Sequence, residues 1–145
     1  MVRDRIYYRV GSEHNPGDPF GRSDLVIETD GHAQLDQYTR AGHSVWIGTV
    51  AASALDRFWA ALEQAGFPAF PHHRVPGGSA IRDLNVGGPE RKSAYIAYHA
   101  AESMPGYNVA FQILDTIIRQ ISEDTVKAVP ASDQKIVDGA SRVSP

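Results

Sequence analysis

Residues 43–71, HSVWIGTVAASALDRFWAALEQAGFPAFP, contain the junction that decides the fold. Val45, Trp46, Ile47 and Val50 are strand formers interrupted only by Gly48, after which Leu55, Phe58, Trp59 and Leu62 recur at helical spacing. The period changes near Ala51, so a strand must hand over to a helix there. Ser53 is the expected N-cap, with Asp56 three residues on as a weaker form of the capping box at the positive end of the helix dipole. Gly66 is the expected stop. A left-handed glycine there places Phe67 where it can pack back on Leu62, and the prolines at 68 and 71 prevent continuation.

Upstream, residues 3–10 alternate, with Ile6, Tyr8 and Val10 on one side and Arg3, Arg5, Tyr7 and Arg9 on the other, which predicts a half-buried strand. The stretch GSEHNPGDPFGRS, residues 11–23, has many breakers and little to bury except Phe20, so it reads as a long surface loop. Residues 24–28 and 32–38 read as a hairpin. A two-residue Asp30-Gly31 turn would set Leu25 opposite Asp36 and mix the faces, whereas a three-residue loop with Gly31 left-handed pairs Glu28 with His32, Ile27 with Ala33 and Leu25 with Leu35. The bulged turn is therefore expected. Arg40-Ala41-Gly42 then turns the chain into the strand at 43–50, completing a four-stranded antiparallel meander.

Downstream, PAFPHHRVPGG is a stiff proline-rich connection, and residues 79–86 and 91–99 form a second hairpin around residues 87–90. Alternation is clear at Ala94, Ile96 and Tyr98 and weaker in the preceding strand. A second helix is expected with Ser103 as cap, Pro105 in its first turn and Tyr107, Ala110, Leu114, Ile117, Ile118 and Ile121 on one face, ending near Ser122. Residues 123–145 hold few large apolar groups and read as a flexible tail. The expectation is thus one α+β domain over 1–122 followed by a C-terminal tail. Its order is ββββ-α-ββ-α, an antiparallel sheet with both helices on one face.

A chain of 145 residues with no cysteine is long enough to bury a core, roughly 68–70% of its unfolded surface, without staples. The missing cysteines exclude a thiol nucleophile, an iron–sulfur cluster and a thiolate zinc site. A net charge of −3 with scattered basic residues gives no electrostatic case for nucleic acid as the main partner. No apolar run approaches the ~18 residues of a membrane span, and a cytoplasmic location is the default expectation.

Sites can be weighed residue by residue. The histidines at 14, 32, 43, 72, 73 and 99 lack metal-binding spacing, and adjacent His72 and His73 in extended backbone point apart. Glu28, Asp30 and Asp36 could be paired acids, but Asp30 is a turn former and the other two fall on the solvated face. No nucleophile elbow or phosphate cradle is present, so no catalytic, cofactor or metal residue is assigned. The Arg3, Arg5, Tyr7, Arg9 stripe could grip acidic groups or stack bases. Cross-strand pairing with Asp24 and Glu28 is the simpler account. Trp46 and Trp59 read as core.

The order of elements over about residues 3–121, the loop at 11–23, and AGFPAF after the first helix together resemble small bacterial inhibitor and immunity-type domains such as emfourin, an inhibitor of thermolysin-type metalloproteases. That resemblance implies a binding protein. The function expected is therefore non-enzymatic protein binding through loops or a sheet edge, with Asn15, Asp18, Phe20, Arg22, His72, His73 and Arg74 as candidate partner contacts. The alternative is a small-ligand or enzymatic domain with a pocket between sheet and helices, lined by Tyr8, Trp46, Trp59, Tyr95 or Tyr98.

Overall fold

The structure, a computed structural model, describes residues 3–12, 21–39, 42–67, 79–87, 93–122 and 135–143. Its strands are β1 (Ile6–Ser12), β2 (Arg22–Ile27), β3 (His32–Thr39), β4 (Gly42–Val50), β5 (Ala80–Val86), β6 (Ser93–Ala97) and β7 (Val137–Arg142). Helix α1 (Ala52–Ala65) follows β4, and a 3-10 helix (Tyr98–Ser103) and α2 (Tyr107–Ser122) follow β6. One antiparallel sheet has the strand order β6-β5-β1-β2-β3-β4-β7. Alternating directions along that order make β4 and β5 run the same way, and likewise β6 and β7. Each crossover must therefore return the chain end to end, α1 from β4 to β5 and α2 from one edge of the sheet to the other. The buried faces of both helices join one core with Ile6, Tyr8, Leu25, Ile27, Leu35, Leu84 and Ile96, so both lie on the same side of the sheet. The α+β architecture with two helices follows from these facts.

The β2–β3 register is the one the hydrophobic pattern predicts. Ile27 faces Ala33 and Leu25 faces Leu35, the Glu28 amide donates to the His32 carbonyl at 2.8 Å, and Gly31 has φ 98°. Helix α1 also stops as expected. Gly66 is left-handed, its N–H reaches the Glu63 carbonyl at 3.1 Å, and the Phe67 N–H reaches Leu62 at 3.2 Å.

Several expectations are corrected. Strand β1 runs to Ser12 and β2 starts at Arg22, so the loop between them is shorter than residues 11–23. Ser53 does not cap α1. Ala51 occupies the cap without a side-chain bond, and Asp56 pairs with Arg3 instead of completing a capping box. Ser103 donates back to the Ala100 carbonyl at 3.1 Å within the 3-10 helix, and α2 begins only at Tyr107, after Gly106. Tyr98 belongs to that 3-10 helix and not to β6.

The largest correction concerns the C-terminal tail and the boundary at Ser122. Val137–Arg142 is the seventh strand of the sheet, with Val137 against Val50 and Arg142 against Trp46, and Ile136, Val137 and Ala140 are buried in the core. The Ala51 N–H donates to the Ile136 carbonyl and the Val143 N–H to Val45, each at 2.8 Å. Gln120 of α2, only 7% exposed, accepts from the amides of Ile136 at 2.8 Å and Val137 at 3.1 Å. A Cβ at Gly48 would lie 2.9 Å from Val137 and 3.4 Å from Ile121, so the missing side chain lets β7 and the last turn of α2 close on β4.

A second polar contact fixes α2 near its middle. Arg82, 7% exposed, points inward from β5. It donates to the Tyr98 carbonyl at 3.0 Å, the Tyr8 hydroxyl at 2.6 Å and Asp115 Oδ2 at 2.9 Å, while Tyr8 donates to Asp115 Oδ1 at 2.9 Å. Its guanidinium lies 4.0 Å from the Tyr98 ring centre and 5.2 Å from that of Phe111. Burial disfavours the Arg82 charge, but Tyr8 and Asp115 more than compensate, so its pKa ends above the ordinary value. Phe111 also stacks on Tyr8 at 5.7 Å and Tyr107 at 6.0 Å, and Tyr107 meets Phe67 edge-on at 6.3 Å. A line of rings thus ties β1 to α2 and to the end of α1.

Two outcomes follow. Gln120→Leu leaves two buried amide donors without their acceptor, at about 1–3 kcal/mol each. Hydrogen exchange should show protected Ile136 and Val137 amides in the native chain and lost protection in the variant; unprotected amides in the native chain would refute the docking of β7. In alkali, burial holds the Tyr107 phenol up to about 12, and burial followed by the Asp115 charge holds Tyr8 well above the ordinary phenol range. An unfolded phenol loses its proton near pH ~10. Between that pH and the folded pKa the unfolded chain binds fewer protons, so the stabilisation present below pH ~10 is lost as pH rises. The melting temperature should fall through this window, and less steeply in Tyr107→Phe; an equal fall in both proteins would contradict the assignment for Tyr107.

Candidate functional site

With both helices on one side, the other side of the sheet is left without a helix. The register brings its side chains into cross-strand rows. The central row reads Tyr95, Asp83, Arg9, Asp24, Asp36, Val45 across β6, β5, β1, β2, β3 and β4. Beside it lie Asn85, Tyr7, Val26, Gln34 and Ile47, and on its other flank Ile81, Gly11, Arg22, Tyr38 and His43.

The arginine stripe is largely neutralised by cross-strand pairs, as its chemistry predicts. Arg5 meets Glu28 at 2.7 Å and donates to the Tyr7 hydroxyl at 3.0 Å, and these two partners raise its pKa further. Arg9 and Arg22 both reach Asp24 Oδ1 at 3.2 Å. Arg3 lies outside the stripe, paired with Asp56 of α1. Arg22 also covers the Tyr38 ring at 4.5 Å, and Tyr38 stacks on His43 at 4.4 Å. Such half-exposed pairs each add little to stability.

The balance shifts beyond Asp24. Asp36 sits directly opposite Asp24, and like charges in that position repel. Two guanidiniums share Asp24, whereas among the described residues Asp36 meets the His43 imidazole and the Gln34 amide, each at 3.5 Å. On the far side of Arg9, Asp83 accepts from the Asn85 amide at 3.2 Å. Asn85 is 9% exposed, and its Oδ1 is buried with no hydrogen-bond partner among the described residues. Reversing the amide would set its oxygen against the Asp83 carboxylate, so the oxygen is the atom left over. An orphaned buried acceptor costs about 1–3 kcal/mol.

These groups surround a cavity of about 340 Å³ lined by Tyr7, Tyr8, Arg9, Asp24, Leu25, Val26, Asp36, Asp83 and Asn85. A second, of about 290 Å³, is lined by Val26, Glu28, His32, Ala33 and Gln34 and shares Val26 with the first. Both lie on the helix-free side. On the helix side, Trp59 is in the core, Trp46 is partly buried against it, and the Tyr8 hydroxyl is engaged by Arg82 and Asp115. Tyr95 lies on the opposite face from Tyr8, so these aromatics do not converge on one pocket between sheet and helices.

Of the nominated contacts, Asn15, Asp18, Phe20, His72, His73 and Arg74 lie outside the described residues, and Arg22 sits on the helix-free face. Asp83 and Asn85 were missed because only the tertiary pairing of β5 with β1 brings them near Arg9, while Asp36, read as a solvated acid, is set opposite Asp24 by the β2–β3 register. His32 pairs with Asp30 at 2.9 Å and His99 with Glu102 at 3.1 Å. Among the described residues, no three His, Asp or Glu side chains are placed to hold a metal ion, and no helix is long and apolar enough to cross a membrane. Compared with protein-family models and with curated proteins, the chain matches none.

Proposed function

We propose that the chain is a non-enzymatic protein-binding domain, of the inhibitor, immunity or adaptor kind and acting in the cytoplasm, with the helix-free face of its sheet as the contact surface. The observation that carries this reading is the pair of adjoining cavities on that face, whose linings hold charged groups and Tyr7, with the exposed Ile47 on the strand next to Gln34. Interfaces of this composition use a few anchored side chains inside a polar surround.

The sheet edges favour the face as the contact. Strand β6 is five residues long and leads at once into a 3-10 helix. Strand β7 carries an irregularity opposite Ile47 and Thr49, with Gly139 at φ 63° and Asp138 and Arg142 exposed. Short, bulged and charged edges resist strand addition. The second reading, a small-ligand domain, draws on the cavity of about 340 Å³. Its charged walls suit a partner's side chain better than a ligand held in a mostly apolar pocket.

Photo-crosslinking tests the proposal. Benzoylphenylalanine placed at Ile47, 43% exposed on the helix-free face, should yield one saturable adduct in lysate of the source organism, competed by the native chain. The same group at Val109, 50% exposed on α2, should not. No adduct from position 47, or equal adducts from both, would overturn the assignment.

A further inference from the structure

We propose that the Asp138-Gly139 step of β7 is a site of spontaneous main-chain rearrangement, in which the aspartyl bond passes through a cyclic succinimide to isoaspartate. The chain contains two Asp-Gly steps, Asp30-Gly31 and Asp138-Gly139, and glycine hinders this ring closure least because it has no Cβ. In the first stage the Gly139 amide nitrogen bonds to Cγ of the protonated Asp138 side chain. The Cγ–OH bond breaks, and the hydroxyl leaves with the amide proton as water. Water then opens the ring at either carbonyl. Attack at Cγ restores aspartate, whereas attack at the main-chain carbonyl leaves the chain running through Cβ and Cγ, with the former main-chain carbonyl as a free carboxylate. No oxidant, reductant or other co-reactant enters the balance.

The two steps share their residues and differ in how the fold holds them. At the β2–β3 turn, Asp30 Oδ1 accepts from the His32 amide at 3.0 Å and Oδ2 meets the His32 imidazole at 2.9 Å. The amide first and the imidazole second pull the Asp30 carboxyl below its ordinary range, and an ionised carboxylate has no hydroxyl to lose. Gly31 is fixed on both sides: its N–H donates to the Glu28 carbonyl at 3.0 Å and its carbonyl accepts from the Val50 N–H at 2.8 Å. A Cβ there would lie 2.8 Å from the Val50 carbonyl oxygen, so the segment has little room to turn. In β7 the Asp138 side chain is 81% exposed and meets Lys135, itself 64% exposed, at 3.7 Å, a pairing that water screens. Gly139 and Ala140 stand together against Gly48, between the Ile47–Ser141 and Thr49–Asp138 pairs, so the regular ladder is interrupted at the reacting nitrogen. Gly139 is left-handed at φ 63°, and nothing lies within 4 Å of the position a Cβ would take. The Asp138 carboxyl and the Gly139 nitrogen thus have room to turn towards each other. The product carries an extra methylene in the main chain of β7, between the Val50–Val137 pair and the Val143 N–H that bonds to Val45. Gln120 still holds Ile136 and Val137, while Val143 is carried out of step with β4.

Ageing the full chain at neutral pH, well below its melting temperature, tests the proposal. The aged protein is cleaved with an endoproteinase that cuts before aspartate and not before isoaspartate, and the peptides are weighed by mass spectrometry. Peptides left uncut at Asp138 should accumulate several-fold faster than peptides left uncut at Asp30. In urea both steps lose their surroundings, and the two rates should converge. The modified fraction should exchange its Val143 amide faster than the fresh chain, with the Ile136 and Val137 amides still protected. Equal rates at the two positions in the folded chain, a faster rate at Asp30, or no conversion at Asp138 would overturn the proposal. A difference that persists unchanged in urea would overturn it too, because local sequence and not the fold would then set the rates. Unchanged exchange at Val143 in the modified fraction would overturn the effect on β7.

Discussion

Helix α2 is held on the sheet by two buried polar contacts, and the division of the molecule into a covered and an open face depends on them. Asp115 meets Arg82 of β5 and Tyr8 of β1, while Gln120 takes the first amides of the β7 segment. Apolar packing alone is tolerant of rotation and sliding. Hydrogen bonds to a guanidinium fork and to two successive backbone amides are directional, and a shifted helix would strand buried charge or buried donors. With these bonds made, Phe111, Leu114, Ile117 and Ile121 are buried against the sheet. The helix then spans from the β6 edge to the β7 edge, and together with α1 it covers one side of the sheet.

Much of this was legible where pattern and local chemistry agreed. The 29–31 turn could be solved because only one loop length keeps Leu25 and Leu35 on one face, and Gly66 announced its cap. Strand β7 was hidden for a physical reason. Its pairing steps two residues along β4, from Ile47 to Thr49, while passing three along its own chain, from Ser141 to Asp138. The extra residue puts Val137 and Ala140 on the same buried face three apart, so the alternating apolar pattern of a strand is erased. Strand β5 was blurred in a different way. Arg82 occupies an inward position, where an apolar residue would be expected, because Asp115 and Tyr8 compensate its charge from other elements.

The site was less legible than the fold. Reading Arg5 and Arg9 against Glu28 and Asp24 required only the β1–β2 hairpin, whose strands are close in sequence. Asp83 and Asn85 lie on a strand separated from β1 by three other strands and a helix, and nothing in the local sequence says that β5 returns to the β1 side. Asp36 looked solvated, which it partly is. Its position opposite Asp24 gives that exposure meaning, and it is a property of register.

A sheet face turned to water has to be polar, and a row of alternating charges would serve that purpose alone. The Arg5–Glu28 and Arg9–Asp24 pairs fit such a role, since they neutralise the face at small net gain. A face selected only for solvation, however, has no reason to set Asp36 against Asp24, or to bury an amide oxygen that water would otherwise satisfy. Both choices cost stability in the free protein. Arg22 Nε on the same face is also buried without a hydrogen bond among the described residues, so these costs are spread over several rows of the sheet and are not confined to one place.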